Sequence, residues 1–240
     1  MKKLSGLTLV FSILFSVFFL LLIFFRIPFP LYPLMSYQDV IDLLTPIVLI
    51  PVYWLMFRNS STREKNQIGE ILFIVLAAMW VLGHGIHLAA NSIDNLIENL
   101  AKNQELDITG TEVYKLAYFL DENLSHYLWH GAIIGMAVLL SFNEWRRPIE
   151  TKTNWWLTSI AGINYGFATF CVFNEGQTVA LGFPFSFLFT IVTLFWLRKL
   201  LPQRPIIAFF FISSLVALIL FASWGIYWGG FPEFTDVGLI

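Results

Sequence analysis

Charge is what this sequence has least of. Lysine, arginine, aspartate and glutamate make up 12% of its 240 residues, about half of the roughly 25% carried by a soluble globular domain. Too few charges remain to cover a solvated surface, which excludes an ordinary soluble enzyme, a disordered chain and a nucleic-acid binder. Cysteine occurs once, as Cys171, so neither an internal disulfide framework nor a cysteine-based zinc cluster is available. No internal repeat, low-complexity tract or linker divides the chain, and residues 1–240 read as one domain. What is abundant is apolar: 58% of residues are hydrophobic, with 25 Phe and 9 Trp, and the mean hydropathy is +0.73. This is the composition of a membrane protein.

Seven apolar stretches are long enough to cross a hydrocarbon core, which takes about 20 helical residues. They fall at roughly 6–25, 38–57, 70–90, 123–142, 155–173, 178–197 and 206–228. Lys2 and Lys3 precede the first run as they would in a signal peptide. That run, however, ends in Arg26-Ile27-Pro28 rather than at a small-residue cleavage site, so a retained helix is expected. Basic residues gather at the N-terminus and in alternate loops: Lys2, Lys3; Arg58, Arg63, Lys65; Arg146, Arg147, Lys152; Arg198, Lys199, Arg204. Only Arg26, Lys102 and Lys115 fall on the other side, where acidic residues such as Asp94, Glu98, Glu105, Asp107 and Glu112 collect. The positive-inside rule then predicts a seven-helix bundle with a cytoplasmic N-terminus and an outer C-terminus, in a plasma or cytoplasmic membrane. The one long connection, 91–122, carries Ile93, Leu96, Ile97 and Leu100 at helical spacing, which predicts an amphipathic helix lying in the outer interface.

All four histidines lie in two consecutive spans. At about 100° per residue, His84, His87 and Asn91 share one helix face, and Glu122, His126 and His130 follow at i, i+4 and i+8 on the next. Because the two helices run in opposite directions, His87 is expected level with His126 and His84 level with His130, roughly 9 Å inside the outer boundary. Ionisable residues within spans are costly and usually face a cavity or a partner. Asn174 and Glu175 end the fifth span at the same level. Asp39, Asp42 and Asp121 read as solvated interface residues, and Trp80, Trp129, Trp155, Trp156, Trp224 and Trp228 as interfacial anchors.

Four imidazoles at matched depth predict a transition-metal site, since imidazole suits zinc and iron whereas calcium and magnesium prefer oxygen. His84, His87, His126 and His130 are the expected ligands of one or two ions. Glu122 and Glu175 are expected as carboxylate ligand or general base, with Asn91 and Asn174 supporting the ligands from behind. Zinc would activate water and iron would activate oxygen. The closely packed HxxHH boxes of membrane desaturases are absent. One haem held by one histidine from each helix would leave the other pair unexplained. A conducting path would need polar groups in the inner leaflet too, and the spans carry almost none there.

The helix count, the size and the pair His126-Tyr127-Leu128-Trp129-His130 are similar to the seven-helix membrane hydrolases that include alkaline ceramidases and adiponectin-receptor relatives. The resemblance implies a three-histidine zinc site and hydrolysis of a lipid. Here the HxxxH pair stands in the fourth span, whereas that family carries its pair near the last, so no catalytic residue is carried over. The expected function is a membrane metalloenzyme, hydrolase or oxidoreductase, acting on a lipid or other hydrophobic small molecule. A metal-binding sensor, chaperone or transporter is the alternative, and a haem electron carrier the third. Self-association stays open.

Overall fold

The computed structural model describes residues 3–20, 27–60, 66–104, 110–146 and 152–239, with backbone alone at 33–34, 94–95 and 98–104. Lys2, Arg26, Arg63, Lys65, Glu105, Asp107 and Arg147, and the side chains of Asp94, Glu98, Leu100 and Lys102, therefore lie outside the described residues.

Helix α1 (Lys3–Leu20) is followed by a short antiparallel hairpin, β1 (Pro28–Phe29) and β2 (Tyr32–Ser36). Then come α2 (Tyr37–Asn59), α3 (Gln67–Gln104), α4 (Glu112–Tyr118), α5 (His126–Arg146), α6 (Trp155–Glu175), α7 (Val179–Val192) and α8 (Pro205–Trp228). A π-helical turn, Phe119–Ser125, joins α4 to α5 without a break, and α7 runs on through further helical turns to Gln203. Seven of the resulting helical rods are long and apolar enough to cross a membrane, at the positions the apolar runs predict. This is the architecture of a multi-pass membrane protein. Large apolar side chains such as Ile47, Ile74, Phe195 and Ile226 stand exposed on the outside of the bundle, an arrangement suited to lipid.

The segment 91–104 is helical, as its spacing predicts, and is continuous with the preceding span. It continues α3, whose 38 residues extend about 57 Å against a hydrocarbon core of about 30 Å. No Gly or Pro interrupts residues 86–104, so nothing in the local chemistry stops the helix at the membrane boundary.

Hydrogen bonds tie the two ends of the bundle separately. At the end carrying Lys3, Arg58, Arg146 and Arg204, the Asn154 amide and the Thr158 hydroxyl reach Ser5 Oγ at 3.2 and 3.1 Å. There too Asn143 donates to Phe57 O and Ser60 Oγ while accepting from Asn66. Helix α8 has no capping side chain of its own. Its start is served instead by buried Glu144 of α5, whose carboxylate accepts from the Ile206 and Ile207 amides at 3.1 and 2.9 Å. A carboxylate there offsets the partial positive charge of the helix start and satisfies two orphan donors. α6 packs on α1 and α8, and α3 on α5. Between the two ends the core is aromatic: Phe11 lies 4.3 Å from Tyr53, and the Tyr53 and Tyr165 hydroxyls meet at 2.9 Å.

Candidate functional site

The histidines lie at the opposite end, where α2 and α5 begin and α3 leaves the bundle. Gly83 makes their approach feasible. A Cβ there would stand 2.8 Å from both Ser125 O and Trp129 N, so only glycine lets the α3 backbone close on the π-helical turn and α5. The rings of His87 and His126 are then 4.9 Å apart, level as the antiparallel register predicts. His126 and His130 stack at 5.5 Å with 13° between their planes.

The fourth imidazole is set apart. His84 and His130 both pack on Trp129, at 4.7 and 3.6 Å between ring centroids. Trp129 and Trp80 are therefore core residues, 5% and 0% exposed, and not interfacial anchors. They lie on the same faces as the histidines, and the indole fills the gap between helices that the imidazoles are too small to close. Trp155 and Trp156, by contrast, are exposed. Among the described residues no three histidine, cysteine, aspartate or glutamate side chains are grouped so as to hold a metal ion.

Two aspartates expected at the solvated boundary are buried in the site. Asp121, 2% exposed, accepts from His87 Nδ1 at 2.6 Å, and Asp42, 7% exposed, places Oδ1 3.5 Å from His84 Nε2. The π-helical turn explains Asp121. Glu122 keeps its place one turn before His126, and the wider turn, closing i to i+5, brings Asp121 inward as well. No Gly or Pro in 119–125 marks that turn, so the sequence offers no signal for it. Asp39 has a different task. It completes a capping box with Ser36, accepting from the Ser36 amide at 2.6 Å while Ser36 Oγ takes the Asp39 amide at 3.2 Å, and so starts α2.

These partners set the tautomers. A carboxylate and a backbone carbonyl can only accept, so His87 donates Nδ1–H to Asp121, and His126 donates Nδ1–H to Glu122 O at 3.1 Å. In the neutral ring each then presents Nε2 as a bare lone pair. Glu122 Oε2 lies 3.7 Å from His126 Nδ1. His130 is held through Nδ1 by the Thr178 hydroxyl, and its buried Nε2 has no partner among the described residues. The turn that supplies Thr178 is specific: Thr178 N bonds Phe173 O at 3.0 Å and Gln177 N bonds Asn174 O at 3.3 Å, with Gln177 left-handed at φ 52°. This double closure is a Schellman motif.

His87, His126 and Glu122 line a cavity of about 1130 Å³ between α1, α3, α5, α6, α8 and the C-terminal segment. Asn91, Glu175 and Trp129 line it as well. Drug-sized ligand pockets measure about 300–1,000 Å³, so the space admits a long-chain molecule. The C-terminal segment after Gly229, where φ of +68° ends α8, folds back over it. Glu175 and Asn174 hold that segment. Glu175 accepts from the Phe234 amide at 2.9 Å and the Thr235 hydroxyl at 3.2 Å, and Asn174 donates to Pro232 O at 2.8 Å. Asn174 thus bonds the tail, while His87 bonds Asp121, His126 bonds Glu122 O and His130 bonds Thr178. Burial, together with the Glu175 and Asp236 carboxylates, raises the carboxyl of Glu233 on this tail above its usual range.

No family model, curated protein or solved structure matches the chain.

Proposed function

We propose that this protein is a membrane enzyme that carries out proton-transfer chemistry, hydrolytic in type, on a hydrophobic substrate held in the cavity. The observation that supports this reading is that His87 and His126, each bonded through Nδ1 to an oxygen acceptor, line the same largely apolar space. His87, oriented by buried Asp121, acts as the base: the carboxylate stabilises the imidazolium that forms when Nε2 takes a proton from water attacking the substrate. The same Nε2 returns the proton to the leaving group. Glu122, whose Oε2 lies 3.7 Å from His126 Nδ1, lines the same space beside the two imidazoles. The positive-inside pattern puts the basic end in the cytoplasm, so substrate enters from the outer leaflet and the C-terminus is outside.

A second reading is favoured by one feature of the same residues. Imidazoles that bind metals usually donate their other N–H to a carboxylate or a carbonyl, as His87 and His126 do. Buried His130 Nε2 and both ring nitrogens of His84 are also without hydrogen-bond partners among the described residues. In this reading zinc or iron would be held by His87, His126 and His130, with His84 as a further ligand, and would supply an activated water or oxygen. It requires the rings to turn toward a common point.

The test is turnover by the purified full-length protein in neutral detergent on a panel of long-chain esters and amides, followed by mass spectrometry. Loss of at least 100-fold in His87→Gln, with folding retained, is expected from removal of a general base. Equal turnover by wild type and a His87→Gln/His126→Gln variant would overturn the proposal.

A further inference from the structure

The residues around the cavity point to a narrower class of ligand. We infer that the cavity takes a hydrophobic cation, an amine or quaternary ammonium group carried on a long apolar body. The inference rests on the cavity being the substrate site, as proposed above, and names its occupant's charge.

Three carboxylates, those of Glu122, Glu175 and Glu233, line the cavity, and among the described lining residues there is no lysine or arginine. Glu175 also holds the tail and Glu122 also stands beside His126, but all three carboxyl groups border the same space, where an anionic head would be repelled and a cationic one attracted. Aromatic rings stand beside two of the acids. Phe234, whose amide donates to Glu175, lies 5.0 Å from Trp224 and 5.7 Å from Phe170. Trp224 in turn lies 5.7 Å from Trp228, so the rings form a continuous group on one side of the space. Ring faces attract cations through their quadrupole, and aromatic cages are a recurrent site for quaternary ammonium groups. Glu233 has two acidic neighbours, Glu175 and Asp236, while Thr235 donates to its Oε2 at 3.3 Å and Gln177 also bonds its carboxyl. A cation placed among these groups would offset their negative charge. The remaining wall is long and apolar, since Phe167 to Glu175 on α6 and Leu220 to Trp228 on α8 each cover about 12 Å of helix. That length suits a hydrocarbon tail lying along the bundle, with its head at the carboxylates.

The experiment compares three probes of equal chain length on the full-length protein in neutral-lipid nanodiscs, with empty nanodiscs as the baseline. Dodecyltrimethylammonium, dodecanol and dodecyl sulfate are titrated below their micellar concentrations, and binding is read from tryptophan fluorescence and from protection of Cys171, which lines the same cavity. The cation is expected to bind at least tenfold tighter than the alcohol, and the sulfate weakest. Glu175→Gln and Glu233→Gln, which keep an acceptor oxygen for the tail, should each reduce the cation's advantage to threefold or less. An alcohol or sulfate that binds as tightly as the cation, or an advantage that survives in both variants, would overturn the inference and leave the cavity as a neutral substrate site. Failure of all three probes to bind would remove both the inference and the substrate-site reading on which it stands.

Discussion

His87 donates its Nδ1 proton to Asp121 across 2.6 Å, joining α3 to the π-helical turn through two residues 34 positions apart. Hydrogen bonds to an ionised group contribute about 1.5–3 kcal/mol. This one also decides which nitrogen of His87 faces the cavity.

Asp121→Asn tests that orientation. Asparagine keeps the size but can offer its NH₂ group to Nδ1, which turns the tautomer and places a proton on Nε2. Turnover is expected to fall by about 10²–10⁴-fold, the usual worth of a positioned base, while the melting temperature changes by only a few degrees. Unchanged turnover in the same assay would separate Asp121 from the chemistry.

Gly83→Ala and Gly85→Ala form a matched pair one helical residue to either side of His84. The first puts a Cβ 2.8 Å from two backbone atoms, whereas the second meets nothing within 4 Å. Overpacking costs about 1–3 kcal/mol, and here the obstructing atoms are backbone and cannot turn aside. Gly83→Ala should therefore melt several degrees lower, and Gly85→Ala should melt at or above wild type because alanine favours the helix by up to about 1 kcal/mol. Thermal denaturation in detergent measures both.

Cys171 reports on the tail. It is half-buried and lines the cavity beneath the C-terminal segment. Asn174→Ala removes the bond to Pro232 O and should raise the rate of Cys171 labelling by a small maleimide at least threefold. A labelling rate equal to wild type would mean that Glu175 and the Trp224 bond to Pro232 O at 3.0 Å hold the segment alone.

Chelation separates the two functional readings. Turnover by the imidazole bases alone should survive prolonged treatment with a strong chelator, and elemental analysis should find less than a tenth of an equivalent of zinc or iron. A loss of more than tenfold in turnover that added zinc or iron restores would establish the metal reading. In that case His130→Ala should also lower bound metal at least tenfold.

Orientation is checked independently of function. A reporter fused after Ile240 should be active only outside the cytoplasm, and one preceding Lys2 only inside.

The number and placement of the spans were legible because they depend on local quantities, the length of an apolar run and the spacing of charges beside it. The same holds for the two histidine stripes, since i, i+3 and i+4 spacings put residues on one face whatever else the chain does. Asp42 and Asp121 were misjudged for a physical reason. An aspartate near the end of an apolar run looks identical whether water or a buried imidazole receives it. Trp129 illustrates the same limit, because an indole close to a membrane boundary suits an interface and a helix gap equally well.

Composition and periodicity by themselves determined that this chain carries seven helices long and apolar enough to cross a membrane, and that its histidines gather near one end of two neighbouring helices. Those are properties of short segments, read one helical turn at a time. Only the tertiary structure decided that Asp121 is buried against His87, that Trp129 packs on both His84 and His130, and that the C-terminal segment folds onto Glu175. Each depends on a backbone irregularity or on contacts between segments 30 to 60 residues apart, and such contacts are selected by the shape left between packed helices, which no single segment encodes.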